Sequence, residues 1–183
     1  RGLKYPLVGG SMAHGISSAE IVEALGKNDM MAFFVAAGLS LENVEAAIDR
    51  LSQSIPDRPF GFNLIHSPNE SKLEAALVDL YLRREIRCVE ASAFLNVTLP
   101  LIKYRVHGIH RDSDGSIVAP NFVMGKISRV EVAAKFFAPP PDKMLQELVR
   151  TGDITPEQAQ MAAKIPVASD VTAEADSGGH TDN

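Results

Sequence analysis

Cysteine is almost missing from this chain, and that excludes a disulfide-stapled fold. A single Cys88 stands inside an apolar stretch, which suits a reducing, cytoplasmic setting and the plain role of a small buried apolar residue. Apolar runs approaching the roughly 18 residues of a membrane span are missing too, and no signal-peptide pattern opens the chain. Long basic runs are lacking: 18 Lys and Arg face 23 Asp and Glu, a formal net charge of -5. Aromatics are only 6% of residues and are not interleaved with Lys and Arg, which argues against nucleic acid as a partner. His14, His66, His107 and His110 share no spacing with a Cys or carboxylate cluster, so no structural metal is expected. What remains is 183 residues with 45% hydrophobic content, enough for one domain around one sizeable core.

Along the chain, apolar runs and capped helices alternate. Tyr5 to Val8 reads as a strand broken by Gly9-Gly10, after which Ser17-Ser18-Ala19-Glu20 opens a helix through Leu25. Met31 to Val35 is a second strand, and Ser40 caps a helix with Val44, Ala47, Ile48 and Leu51 on one face. Phe60 to Ile65, a helix over Glu70 to Arg84, and the strand Arg87 to Ser92 continue the series. Tyr104 to Ile109 alternates towards Asp112-Ser113-Asp114-Gly115 and predicts a hairpin returning through Val118. Asn121 to Ile127 is a further core strand, leading to a helix over Val130 to Phe137. Between Pro139 and Pro166 two short helices form an insertion, the second begun by Thr155-Pro156. A last strand alternates Val171, Ala173 and Ala175 with polar residues. The repeat, a strand and helix every few tens of residues, is that of a parallel α/β sheet. A doubly wound sheet and a (β/α)8 barrel both fit it.

Chemistry is expected where such strands end. Gly178-Gly179-His180 follows the last strand; consecutive glycines can bring bare N-H groups to a ligand, and an imidazole beside them can donate to a substrate oxygen or move a proton. A glycine turn with a solvated histidine fits equally well. Gly9-Gly10-Ser11-Met12 ends the first strand without the spacing of a dinucleotide fingerprint. Asn63 interrupts an apolar strand and must bond either a planar ligand or a neighbouring strand. Lys126 closes another strand, placed to meet an anion or to snorkel to solvent. Glu90 and Ser92 share one face of their strand and are expected to form a bonded structural pair.

Taken together, Gly9 to Met12, Phe60-Gly61-Phe62-Asn63-Leu64, Gly125-Lys126-Ile127 and Asp176-Ser177-Gly178-Gly179-His180 resemble the nitronate monooxygenase superfamily. These are FMN-dependent barrels, formerly called 2-nitropropane dioxygenases, that include flavin-type enoyl-acyl-carrier-protein reductases. Val89 to Ala93, the segment Tyr104 to Val118 and Asp153 to Ala159 resemble the PfaD-type enoyl reductases of polyunsaturated fatty acid and trans-acting polyketide synthases. The resemblance covers essentially the whole chain. It implies a (β/α)8 barrel, with His180 as the catalytic residue. Gly10, Ser11, Met12, Asn63, Lys126, Gly178 and Gly179 are implied as flavin contacts. It implies FMN as cofactor and NADPH or NADH as reductant. An enoyl thioester on an acyl carrier protein is the implied substrate, within a synthase complex, with room for a homo-oligomer. Asp176-Ser177 departs from the superfamily's Glu-Ala ahead of the glycines. Oxidation of alkyl nitronates on the same flavin, and a non-catalytic binding role for the barrel, are the alternatives.

The chain begins with Arg1 and stops just past His180, so an internal piece of a larger enzyme is expected. About six barrel strands fall within residues 1–183, the 139–166 insertion included. The last two strands, with the usual phosphate loops, are expected in further sequence.

Overall fold

The strands of the computed structural model are β1 (Val8–Gly9), β2 (Met31–Phe34), β3 (Gly61–Ile65), β4 (Cys88–Ser92), β5 (His110–Arg111), β6 (Ile117–Val118), β7 (Phe122–Ile127) and β8 (Asp170–Ala173). The helices are α1 (Ala19–Lys27), α2 (Leu41–Ser54), α3 (Ser71–Arg83), α4 (Leu99–Val106), α5 (Val130–Phe137), α6 (Asp142–Arg150) and α7 (Pro156–Ala162). The structure describes residues 3–5, 7–68 and 71–173.

Six strands form one sheet in the order β1-β2-β3-β4-β7-β8, every pair parallel. That order follows the chain without reversal. A doubly wound sheet reverses at a switch point, whereas a (β/α)8 barrel does not, so the order decides between the two folds that the sequence rhythm allowed. The sheet curls into half of such a barrel.

Alternation along the strands sorts their residues into two layers. Phe34, Phe62, Leu64, Val89, Ala91 and Val123 face the helices and pack with Val44, Ile48, Leu51, Leu77 and Leu80. Full burial of a side chain such as Phe62 is worth about 1.5–3 kcal/mol. On the concave side Met31, Phe33, Cys88 and Met124 form a smaller cluster with Leu3 and Val8. Cys88 is thus the buried apolar filler that was expected.

Local signals account for most boundaries. Ser40 accepts from Asn43 N-H at 3.3 Å and starts α2. Thr155 and Gln158 form a reciprocal capping box at the head of α7. Two expectations shift. Strand β1 begins only at Val8, and Tyr5 and Leu7 are exposed. The hairpin drawn from Tyr104 is corrected: Leu99–Val106 is helical, and only β5 and β6 pair antiparallel. Thr98 caps this helix by accepting from Leu101 N-H, and Pro100 lies in its first turn. A helix is also what a parallel crossover from β4 to β7 calls for.

The two insertion helices, α6 and α7, pack on each other and on α4. Arg105, buried on α4, donates to the carbonyls of Asn121 at 2.6 Å and Pro166 at 3.2 Å. Lys103 meets Asp153 at 2.8 Å. Burial pulls the Arg105 guanidinium down from its ordinary value, and two of its five N-H donors are met by the Asn121 and Pro166 carbonyls. Among the described residues no helix is long and apolar enough to cross a membrane.

Candidate active site

The C-terminal ends of the parallel strands lie on one rim, where (β/α)8 barrels carry their chemistry. Gly10 to Met12 leave β1 there, His66 follows β3, Ala93 follows β4 in a left-handed conformation (φ 63°), and Ser128 follows β7. Below the rim, the concave face changes character along the strands. Met31, Phe33, Cys88 and Met124 make an apolar floor. Register then places Asn63 beside Glu90, and Ile65 beside Ser92, one step nearer the rim. Lys126 lies beside Thr172 on the same side of β7 and is partly buried.

Asn63 is almost wholly buried, and its bonds define which way its amide faces. The NH2 group donates to the Glu90 carbonyl at 3.2 Å and to the Ser92 hydroxyl at 2.8 Å. A backbone carbonyl can only accept, so the amide nitrogen must lie on that side. Its Oδ1 is then turned the other way, buried and without a hydrogen-bond partner among the described residues. The Asn63 carbonyl is held by the Tyr81 hydroxyl at 2.8 Å, and burial pushes that phenol far above its ordinary range, so it remains a donor. Asn63 therefore bonds a neighbouring strand and still presents an acceptor.

Glu90 is equally buried and reaches across to the turn after β1. Its Oε2 accepts from Ser11 N-H at 3.0 Å and also from the Ser11 hydroxyl. Gly10 makes room, because a Cβ there would stand 3.3 Å from Glu90 Oε1. Ser17 completes the turn: its hydroxyl accepts from Met12 N-H at 2.8 Å and donates to the Gly10 carbonyl at 2.9 Å. So Ser17, expected at the start of α1, braces the first loop instead, and Ser18 is the N-cap. The N-H groups of Ser11 and Met12 both point into protein partners. The Met12 side chain is exposed.

Of the residues singled out from sequence, the structure brings Gly10, Ser11, Met12, Asn63 and Lys126 to the concave, rim-side half of the sheet. Gly178, Gly179 and His180 lie outside the described residues. Two groups went unnoticed in the sequence. Ser17 has no local signal apart from a neighbouring serine. His66 bonds the buried Glu74 on α3 at 2.7 Å, and Thr98 donates to that same carboxylate. Its ring also lies 5.2 Å from Phe94, tilted by 30°. This triad knits the ends of β3 and β4 to α3 and α4. A polar pair at positions 66 and 74, flanking a helix start, was the signal available.

A cavity of about 380 Å³ lies elsewhere, between α6 and α7, lined by Leu145, Val149, Pro156 and Ala159. It is more voluminous than the other cavities described, but its lining is mainly apolar, with Asp142, Gln146 and Gln160 as its polar side chains, and it lies on the insertion, away from the strand ends where such barrels carry their chemistry.

The flavin fit rests on the donor set. An isoalloxazine ring has an imide N-H flanked by carbonyl acceptors. Asn63 Oδ1 is an oriented acceptor, without a partner among the described residues, for such an N-H, Lys126 is a cation for the acceptors, and Met31, Phe33, Cys88 and Met124 give an apolar floor beneath them. The residues present fit the group.

No protein-family model matches the chain. Relatives and a solved structure do. A polyunsaturated fatty acid synthase protein of Thraustochytrium sp. is 46% identical over 182 residues, covering 100% of this chain and 12% of that protein. Polyketide biosynthesis protein PksE of Bacillus subtilis is 42% identical over 181 residues, covering 98% of this chain and 24% of that one. The chain thus spans a quarter or less of the length of these relatives. The crystal structure of the enoyl reductase domain of MlnA, from the macrolactin biosynthesis cluster of Bacillus amyloliquefaciens, superposes with a TM-score of 0.92 at 39% identity. That match takes in 96% of this chain and 40% of the MlnA chain. The resemblance to the enoyl reductase branch of fatty acid and polyketide synthases is thereby borne out.

Proposed function

We propose that this chain is part of an FMN-dependent enoyl reductase serving a polyunsaturated fatty acid or polyketide synthase. Its substrate is an enoyl thioester carried on an acyl carrier protein, and its reductant is NADPH or NADH. The observation that carries the reading is Asn63: a buried side chain whose donors are spent on β4 and whose acceptor has no hydrogen-bond partner among the described residues. Leaving a buried amide oxygen unpaired costs about 1–3 kcal/mol, and a ligand N-H removes that cost. The likeness to an enoyl reductase domain supplies the reaction class, and the relatives supply the setting.

When bound, FMN would supply the redox chemistry, hydride passing from the nicotinamide to the β-carbon of the enoyl group. The chain's own residues bind and orient. Asn63 would accept from the ring edge and Lys126 would offer positive charge, and Gly10, Ser11, Met12, Gly178 and Gly179 are the further residues that would hold the ring. The apolar floor of Met31, Phe33, Cys88 and Met124 closes the barrel interior to water below the site. His180 polarises the thioester carbonyl or helps to deliver the proton that the α-carbon takes up.

The test is to substitute His180→Ala in the full chain and compare flavin content with reduction of crotonyl thioester under NADPH. Normal flavin binding with loss of reductase activity is expected. Wild-type turnover in that variant would remove His180 from the chemistry. Failure of the unsubstituted protein to hold flavin at all would overturn the wider reading.

A further inference from the structure

Glu90 is the one described residue that touches both sides of the ring-binding arrangement. Its backbone carbonyl receives the Asn63 amide and so fixes which way Oδ1 faces. Its carboxylate receives Ser11 and so fixes the turn after β1. Ser11 and Glu90 are 79 positions apart, so this link is made by the fold and by nothing local. We propose that Glu90 is a positioning residue that sets the Gly10–Met12 turn and places a buried carboxyl group next to the redox site. The inference rests on the flavin reading above and extends it to a residue outside the cofactor contacts.

Three features support a task beyond packing. First, a carboxylate on the concave face is costly to bury unless donors meet it, and an apolar residue would fill the position at less cost. Second, the space it occupies is kept open by Gly10, where any side chain would crowd Oε1 at 3.3 Å. Third, Ser11 spends both its N-H and its hydroxyl on one carboxylate oxygen. The turn is therefore held from behind, with its N-H groups committed to protein. Ligand contact there falls to the exposed Met12 side chain.

A negative charge close to a redox ring disfavours the electron-rich reduced form. Removing it makes the reduction potential more positive, an effect that a purely structural brace lacks. The experiment compares the flavin-loaded full chain with Glu90→Gln and Ser11→Ala. It measures flavin affinity by fluorescence titration, midpoint potential by dye-coupled reduction, and apo-protein melting. Glu90→Gln is expected to shift the potential positively and to weaken flavin binding by roughly 3- to 10-fold. Ser11→Ala keeps the carboxyl group and is expected to weaken binding while leaving the potential near that of the parent. Unchanged affinity and potential in Glu90→Gln would overturn the proposal. Should that variant not fold, unchanged flavin affinity in Ser11→Ala overturns it instead. A parent protein that binds no flavin refutes the functional reading, an outcome distinct from either.

Discussion

Replacing Asn63 by leucine, which has much the same shape, separates a ligand-binding amide from a structural one. The substitution removes two hydrogen bonds, to the Glu90 carbonyl at 3.2 Å and the Ser92 hydroxyl at 2.8 Å. A typical intramolecular bond nets about 0.5–1.5 kcal/mol, so the loss is roughly 1–3 kcal/mol. The same change deletes the buried, unpartnered Oδ1, whose retention costs about 1–3 kcal/mol. The two effects offset each other, and the apo protein should keep its stability to within about 2 kcal/mol. Flavin binding has no such compensation. Loss of one bond to the ring weakens affinity by about 0.5–1.5 kcal/mol, roughly 2- to 12-fold. Urea unfolding of the apo protein, paired with fluorescence titration of FMN, reads both quantities. A variant destabilised by more than about 3 kcal/mol, with flavin affinity unchanged, would mean that Asn63 serves only the sheet.

Two further outcomes follow from the packing and the charges. Gly61→Ala puts a methyl 2.4 Å from Phe33 Cε1 and 2.8 Å from the Cys88 carbonyl. The backbone contact cannot yield cheaply, so a lower urea midpoint corresponding to about 1–3 kcal/mol is expected, and an unchanged midpoint would contradict the register given for β2, β3 and β4. Asp153 is held below its ordinary 3.8, first by its bond from Lys103 and then by Thr151. A lowered folded value means stability that is present above pH 3.8 and is lost as pH falls below it. Asp153→Asn should therefore flatten that acid limb in melting temperature against pH; an identical acid limb in the two proteins would refute the link.

Much of the fold was legible because the central strands are apolar runs and the starts of α2 and α7 carry side-chain caps. Ser40, Thr155 and Pro156 mark their helices in one dimension, and the structure uses them as read. Helix α4 escaped for a physical reason. Leu101, Ile102, Tyr104, Arg105 and Val106 are all buried, so the helix has no clean polar face from which a 3.6-residue period can be read. The alternation of its last residues with His107 and Gly108 imitates a strand. The correcting signal was present: Thr98-Leu99-Pro100 repeats the cap-and-proline logic of Thr155-Pro156. The choice between barrel and doubly wound sheet was not legible in the rhythm, since it depends on strand order, which is set by pairing between distant segments.

The candidate site divides along the same line. Asn63, Glu90 and Lys126 stand out in sequence because polar side chains interrupt apolar strands, where burial demands a partner. Their partners did not stand out. Glu90 and Ser92 share a face, which made them the natural pair on one strand; in the fold Ser92 receives Asn63 from β3 while Glu90 receives Ser11 from beyond β1. A strand fixes the face of its residues but not the neighbour they meet, and a parallel sheet brings that neighbour from a crossover away. Polar interruptions in consecutive parallel strands are therefore best read across strands before along them. Applied to this chain, that rule leads from Glu90 and Ser92 to Asn63, and from Asn63 to an acceptor that still needs a donor.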